Sequence, residues 1–178
     1  MKQIRLCGLG GQGIVLAGTI LAHAAFLDKK FVALSSGYAS QVRGGITRSD
    51  LILSDSFINF PLVTQIDLLI AMLEEAYQES LPELNREAKV VLDGTMVKQD
   101  PSSPAKHYQV PATEIVVKQL KNEMAANIVL LAAANSICKI VSVASLEEAI
   151  KKNVSTRFLE LNLRAMQAGL ELAKAAFA

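Results

Sequence analysis

An α/β fold built on a mostly parallel sheet is predicted by three observations. The chain opens on a short strand, Lys2-Gln3-Ile4-Arg5-Leu6-Cys7, that runs into Gly8-Leu9-Gly10-Gly11-Gln12-Gly13 and then into an apolar helix from Ile14. A continuous apolar run at 67–72 reads as a strand of a buried parallel sheet, and 88–92 reads as the next strand. Apolar helical stretches alternate with these strands along one chain of 178 residues, enough for one sizeable core and short for two. The order predicts a Rossmann-like, mostly parallel sheet with helices on both faces, an inserted hairpin and a helical C-terminus, as a single domain over 1–178.

The glycine turn sits where a G-x-G-x-x-G match needs to sit, between strand and helix. Gly8, Gly10 and Gly13 hold the three glycine positions, and Gly11-Gln12 make the turn more distinctive. Such a turn leaves a helix N-terminus open to an anion. The helix at 14–27 is apolar almost all round, so it is expected to be buried on several sides. His23 within it reads as structural.

Residues 31–34 are the second strand. A NAD site needs Asp or Glu near its end, for the ribose hydroxyls. Ser35 and Ser36 stand there, so NAD is disfavoured, while Ser35, Ser36 and Arg43 leave a stand-alone NADP-binding module open as a second reading. Residues 35–45 read as a long polar loop, and Arg43-Gly44-Gly45 can present a guanidinium where the backbone comes close to a ligand or partner. From composition alone an ordinary surface loop is an equal reading.

Residues 46–53 alternate weakly and read as a strand with one face toward solvent or another chain. Residues 57–60 read as a short strand completing the inserted hairpin, with Pro61 barring a central position. After the strand at 67–72, Glu74-Glu75 start a helix that Pro82 ends, and 83–86 fit a further turn. The strand at 88–92 ends at Asp93-Gly94. Residues 97–106 are a loop, 107–110 a strand stopped by Pro111, and His107 reads as a surface residue. Thr113 can cap a helix that Asn122 breaks. A second apolar helix covers 124–139, with Asn127 expected to pin its start to a loop. Ser145-Leu146-Glu147-Glu148 reads as a capping box opening a helix to about 152. In the last helix, 157–177, Leu159, Leu163, Met166, Leu170, Ala173 and Phe177 form an a/d-spaced seam, read as docking on the chain's own core.

Composition narrows the function. Net charge is +1 and aromatics are 5% with no Trp, which offers neither a basic field nor stacking platforms for nucleic acid. Cys7 and Cys138, the two cysteines, cannot build a four-cysteine metal site, and Cys7 reads as a packed thiol. No signal-like or membrane-spanning stretch is visible, so a cytoplasmic protein is expected. No Ser–His–Asp grouping, metal-ligand spacing or G-x-x-x-x-G-K-[ST] loop is present. Leu92-Asp93-Gly94 lacks the first glycine of a thiamine-diphosphate motif and reads as a strand end. At 51% hydrophobic, the chain implies surface that is covered only in an assembly.

The turn Gly8-Leu9-Gly10-Gly11-Gln12-Gly13-Ile14, together with Tyr38, Arg43-Gly44-Gly45, Ser49-Asp50, Leu53-Ser54-Asp55, Pro111-Ala112-Thr113, Asn127 and Leu146-Glu147-Glu148-Ala149-Ile150, resembles the gamma subunit of 2-oxoacid:ferredoxin oxidoreductases over essentially the whole chain. The resemblance implies a non-catalytic subunit of a complex that oxidatively decarboxylates a 2-oxoacid to an acyl-CoA and reduces ferredoxin. It implies alpha and beta partners, and in some members delta. Thiamine diphosphate and iron–sulfur clusters are then held by those partners, and this chain lies on the coenzyme A side. The residues it would contribute there are Gly8, Gly10, Gly11, Gln12, Gly13, Tyr38, Arg43, Gly44 and Gly45. The Arg-Gly-Gly form is more similar to 2-oxoglutarate and branched-chain enzymes than to pyruvate enzymes. Ser40-Gln41 replace the usual Pro-Glu of this loop, which removes a carboxylate.

Overall fold

The computed structural model describes residues 1–38 and 45–177. Its centre is a six-stranded sheet in the order β2-β3-β1-β4-β5-β6, formed by β1 (Lys2–Leu9), β2 (Phe31–Tyr38), β3 (Ile46–Ser54), β4 (Ile66–Ala71), β5 (Leu84–Asp93) and β6 (Lys106–Val110). β1, β4, β5 and β6 pair in parallel, and Leu68–Ala71 of β4 form the continuous apolar run typical of a strand buried on both faces. β3 alone runs against its neighbours: it pairs antiparallel with both β1 and β2.

The inserted hairpin is therefore β2–β3, and it fills the position between β1 and β2. Residues 57–60 form no strand. Pro61 follows them, and Phe57 instead lays its ring edge-on against Phe31, with centroids 6.2 Å apart. The second strand also runs on through Ser35, Ser36, Gly37 and Tyr38, all placed in a loop by their polarity. Pairing of Ser35 with Asp50 and of Ser36 with Ser49 carries the ladder through them. Leu84–Arg86, expected as a turn, is already the start of β5.

Helices cover the two faces unequally. One face carries α1 (Ile14–Leu27), α3 (Ala112–Ile115), α4 (Ala126–Cys138), α5 (Val143–Asn153) and α6 (Thr156–Phe177), closing a core that includes Ile4, Leu6, Leu51, Leu68 and Val91. The opposite face carries α2 (Glu74–Ser80), which packs Ala76 and Tyr77 on Cys7, Leu69, Val90 and Leu92. α1 is apolar all round because it lies between the sheet and helices α4 and α5. The seam of α6 docks on the chain's own core, with Met166, Leu170 and Ala173 buried. α5 is capped by Ser142 rather than Ser145: the Ser142 hydroxyl accepts the Ser145 N–H at 3.1 Å, which makes Ser145 the third helical residue. Met124 belongs to a single 3-10 turn ahead of α4.

Candidate functional site

β1 delivers the glycine turn to the carboxyl edge of the sheet. Gln12 folds back under it. Its Oε1 accepts the Leu9 N–H at 2.6 Å and its Nε2 donates to the Met72 carbonyl at 3.4 Å, so the side chain ties the end of β1 to the end of β4. Gly8 leaves room for this: a Cβ there would stand 2.6 Å from Gln12 Oε1. Gly13 caps α1 in the left-handed region, φ +75°, with no side-chain cap on the helix and no acid in its first turn. The first-turn N–H groups and the positive end of the dipole are thus not spent on a side chain. The Gly13 carbonyl accepts from Asn127 Nδ2 at 2.9 Å, which pins α4 to the turn as expected from the sequence. Gly11, at φ +100°, is exposed at the tip.

The turn meets Gly45, the residue ahead of β3. Gly10 N–H donates to the Gly45 carbonyl at 3.0 Å. Gly45 therefore lies at the edge that the turn occupies, although β1 and β2 are not neighbours. β3 separates them, and its first residue, Ile46, faces Leu9. Tyr38 closes β2 opposite Thr47. Arg43 and Gly44 lie outside the described residues.

Beside Gly11 and Gln12 opens a cavity of about 390 Å³, lined also by Met72, Met96, Thr113, Met124 and Ala126. It spans the ends of β1 and β4. The helix after β1 lies on one face and the helix after β4 on the other, so this is where the winding of the sheet reverses, the usual ligand crevice of open α/β folds. Thr113 on one wall is held from behind by Asp93, fully buried at the end of β5, whose carboxylate accepts from Thr113 N–H, Thr113 Oγ1 and Thr95 N–H. The sequence reading placed Asp93 at a strand end, as found, but missed the methionine lining. Residues so far apart in the chain carry no spacing signal, although strand ends alone would have placed them at this edge.

The other candidates fall elsewhere. Ser36 is bonded to Ser49 Oγ at 3.0 Å, and Ser49 donates to the Ile14 carbonyl, so this pair fastens the hairpin to α1. Ser35 points to the opposite face, as alternation in a strand demands, and the two serines cannot converge on one phosphate. The NADP reading loses its pair. His23 bonds Asn153 at 2.8 Å, and His107 bonds the Tyr77 hydroxyl at 2.9 Å and accompanies the Ala105 carbonyl; both are structural, and His107 is half-buried rather than on the surface. Cys7 is a packed thiol. Burial pushes it up to about 12 against the opposing pull of Arg48 and Arg5. Beneath α2, Arg5 is buried and bidentate to Asp50, with a further bond to Glu83 at 2.8 Å. Burial works to lower the guanidinium's pKa, but these partners outweigh it and hold it above its ordinary value. Among the described residues no group of His, Cys, Asp and Glu is placed to hold a metal ion, and no helix is long and apolar enough to cross a membrane.

Residues 3–172 match the family described as pyruvate ferredoxin/flavodoxin oxidoreductase. The chain is 38% identical to 2-oxoglutarate synthase subunit KorC of Methanocaldococcus jannaschii, over 97% of this chain and 94% of that one. It is 28% identical to the ketoisovalerate oxidoreductase subunit VorA of Methanothermobacter thermautotrophicus, where the match takes up 36% of the longer protein. The crystal structure of the gamma subunit of a keto/oxoacid ferredoxin oxidoreductase from Geobacter sulfurreducens superimposes with a TM-score of 0.87 at 33% identity, covering 99% of this chain and 100% of that one. The same fold, at 24% identity and TM-score 0.87, makes up 31% of a chain of the 2-oxoglutarate:ferredoxin oxidoreductase from Magnetococcus marinus, a structure with 2-oxoglutarate, coenzyme A and succinyl-CoA bound. With the family matched from the first strand to the last helix, the chain belongs to the pyruvate ferredoxin/flavodoxin oxidoreductases, among relatives that are gamma and KorC subunits of 2-oxoacid:ferredoxin oxidoreductase complexes.

Proposed function

We propose that this chain is the gamma subunit of a 2-oxoglutarate:ferredoxin oxidoreductase, a single domain working in the cytoplasm, inactive by itself and set on the coenzyme A side of the complex. The observation that carries the reading is the uncapped start of α1, presented by a glycine turn whose Gly10 N–H bonds the Gly45 carbonyl. An open helix N-terminus and exposed backbone suit an anion of the coenzyme, and Arg43 adds a charge that does not titrate away. Similarity to KorC subunits favours 2-oxoglutarate as the oxoacid. Thiamine diphosphate and iron–sulfur clusters belong to alpha, beta and delta-type partners in this reading, with ferredoxin as the acceptor.

The test is reconstitution. The purified chain should reduce no viologen dye with 2-oxoglutarate and coenzyme A, and co-expression with its alpha and beta partners should restore reduction, faster with 2-oxoglutarate than with pyruvate or 2-ketoisovalerate. In the complex, Arg43→Ala should raise KM for coenzyme A or weaken assembly while leaving the melting of the isolated chain unchanged. Activity of the chain alone refutes the subunit reading. A complex with intact assembly and coenzyme A kinetics refutes the site.

A further inference from the structure

The two edges of the sheet are built differently. β6 is five residues long, begins with the exposed Lys106 and is bracketed by Pro104 and Pro111. Short length, lysine and proline are the usual devices that stop an edge from pairing with another chain. β2 has none of them. It is eight residues, Phe31-Val32-Ala33-Leu34-Ser35-Ser36-Gly37-Tyr38, without a charge or a proline, and its register with β3 is unbroken from end to end. It also exposes apolar side chains: Leu34 is 40% exposed and Phe31 46%. A long, regular, uncharged edge of this kind is a template for another strand.

We propose that β2 pairs antiparallel with β2 of a second copy of this chain, about a two-fold axis through Leu34, to make one continuous twelve-stranded sheet. The sequence of the strand complements itself in this register. Leu34 meets its own counterpart on the face that carries α1. Val32 lies opposite Ser36 and Ala33 opposite Ser35. On the other face Phe31 lies opposite Gly37, where a side chain would meet nothing within 4 Å. An aromatic ring covering a glycine across two strands is a recurrent stabilising pair. Phe57, stacked edge-on against Phe31 and 73% exposed, extends the apolar contact at each end. Each protomer offers the same patch, so the interface is isologous and closes as a dimer.

The mass of the full chain in solution tests this directly. Light scattering after gel filtration should give twice the mass of one chain, and Leu34→Lys should give the mass of one chain with an unchanged far-ultraviolet spectrum. The register is tested by oxidation. Residues directly opposite in an antiparallel pair have Cα atoms about 4.5–5.5 Å apart, within disulfide reach. Leu34→Cys should therefore cross-link two chains. Ser36→Cys, on the same face but two residues from the axis, should not, because its counterpart stands about 14 Å away at a strand rise of about 3.4 Å. Wild-type protein at the mass of one chain overturns the proposal, as does a Leu34→Lys variant that keeps the double mass or equal cross-linking at positions 34 and 36.

Discussion

Gly13→Ala separates the roles of the glycine turn. At φ +75° an alanine costs about 1–2 kcal/mol in backbone strain. Its Cβ also lands on Asn127 Nδ2, so the amide must leave the Gly13 carbonyl. Asn127 is 3% exposed, and a lost hydrogen bond with a buried partner left unsatisfied adds about 1–2 kcal/mol. The sum is about 2–4 kcal/mol, which for a domain of this size lowers Tm by roughly 5–15 °C. Gly11→Ala is the control. At φ +100° it carries similar backbone strain, but its Cβ meets nothing within 4 Å, so the loss should stop at about 1–2 kcal/mol. A double-mutant cycle isolates the contact: in an Asn127→Ala background Gly13→Ala should cost about 1–2 kcal/mol less than in wild type. Thermal and urea unfolding followed by circular dichroism measure all four variants. Equal losses for Gly11→Ala and Gly13→Ala, or strict additivity with Asn127→Ala, would refute the claim that this turn is held by α4.

Two further outcomes follow from the lower face of the sheet. The hydrogen bond from Arg5 holds the Glu83 carboxyl below its ordinary 4.5, so the unfolded chain takes up a proton first as pH falls. The stabilisation is complete above that ordinary value and is lost as pH drops through the folded one; urea midpoints between about pH 6 and 3 should fall less steeply for Glu83→Gln than for wild type, and equal slopes would remove Glu83 from the account. Because the Cys7 thiol is fully buried and pushed up to about 12, a disulfide reagent near pH 8 should leave it untouched in the native chain; in a Cys138→Ser variant, thiol release should appear only after denaturation, and rapid native reaction would contradict the packing.

The central parallel strands were legible because burial on both faces favours apolar runs, which residues 68–72 and 90–92 supply. The glycine turn was legible because local backbone chemistry leaves few residues able to take its conformation, and Asn127 was legible because a buried amide must find a partner. The inserted hairpin was not. Ser35, Ser36 and Gly37 have the composition of a loop, and only pairing with Asp50, Ser49 and Arg48 makes them a strand. Residues 57–60 have the composition of a strand, but they find no strand to pair with. The placement of β3 between β1 and β2 likewise rests on long-range hydrogen bonds that no local pattern encodes. The site divides the same way: the sequence alone determined an open helix start with glycines around it, since that is a local property of 8–14. Tertiary structure decided that Gln12 turns inward, that Ser35 and Ser36 part to opposite faces, and that Met72, Met96 and Met124 line one cavity, because side-chain direction and the meeting of distant strand ends are set by the sheet.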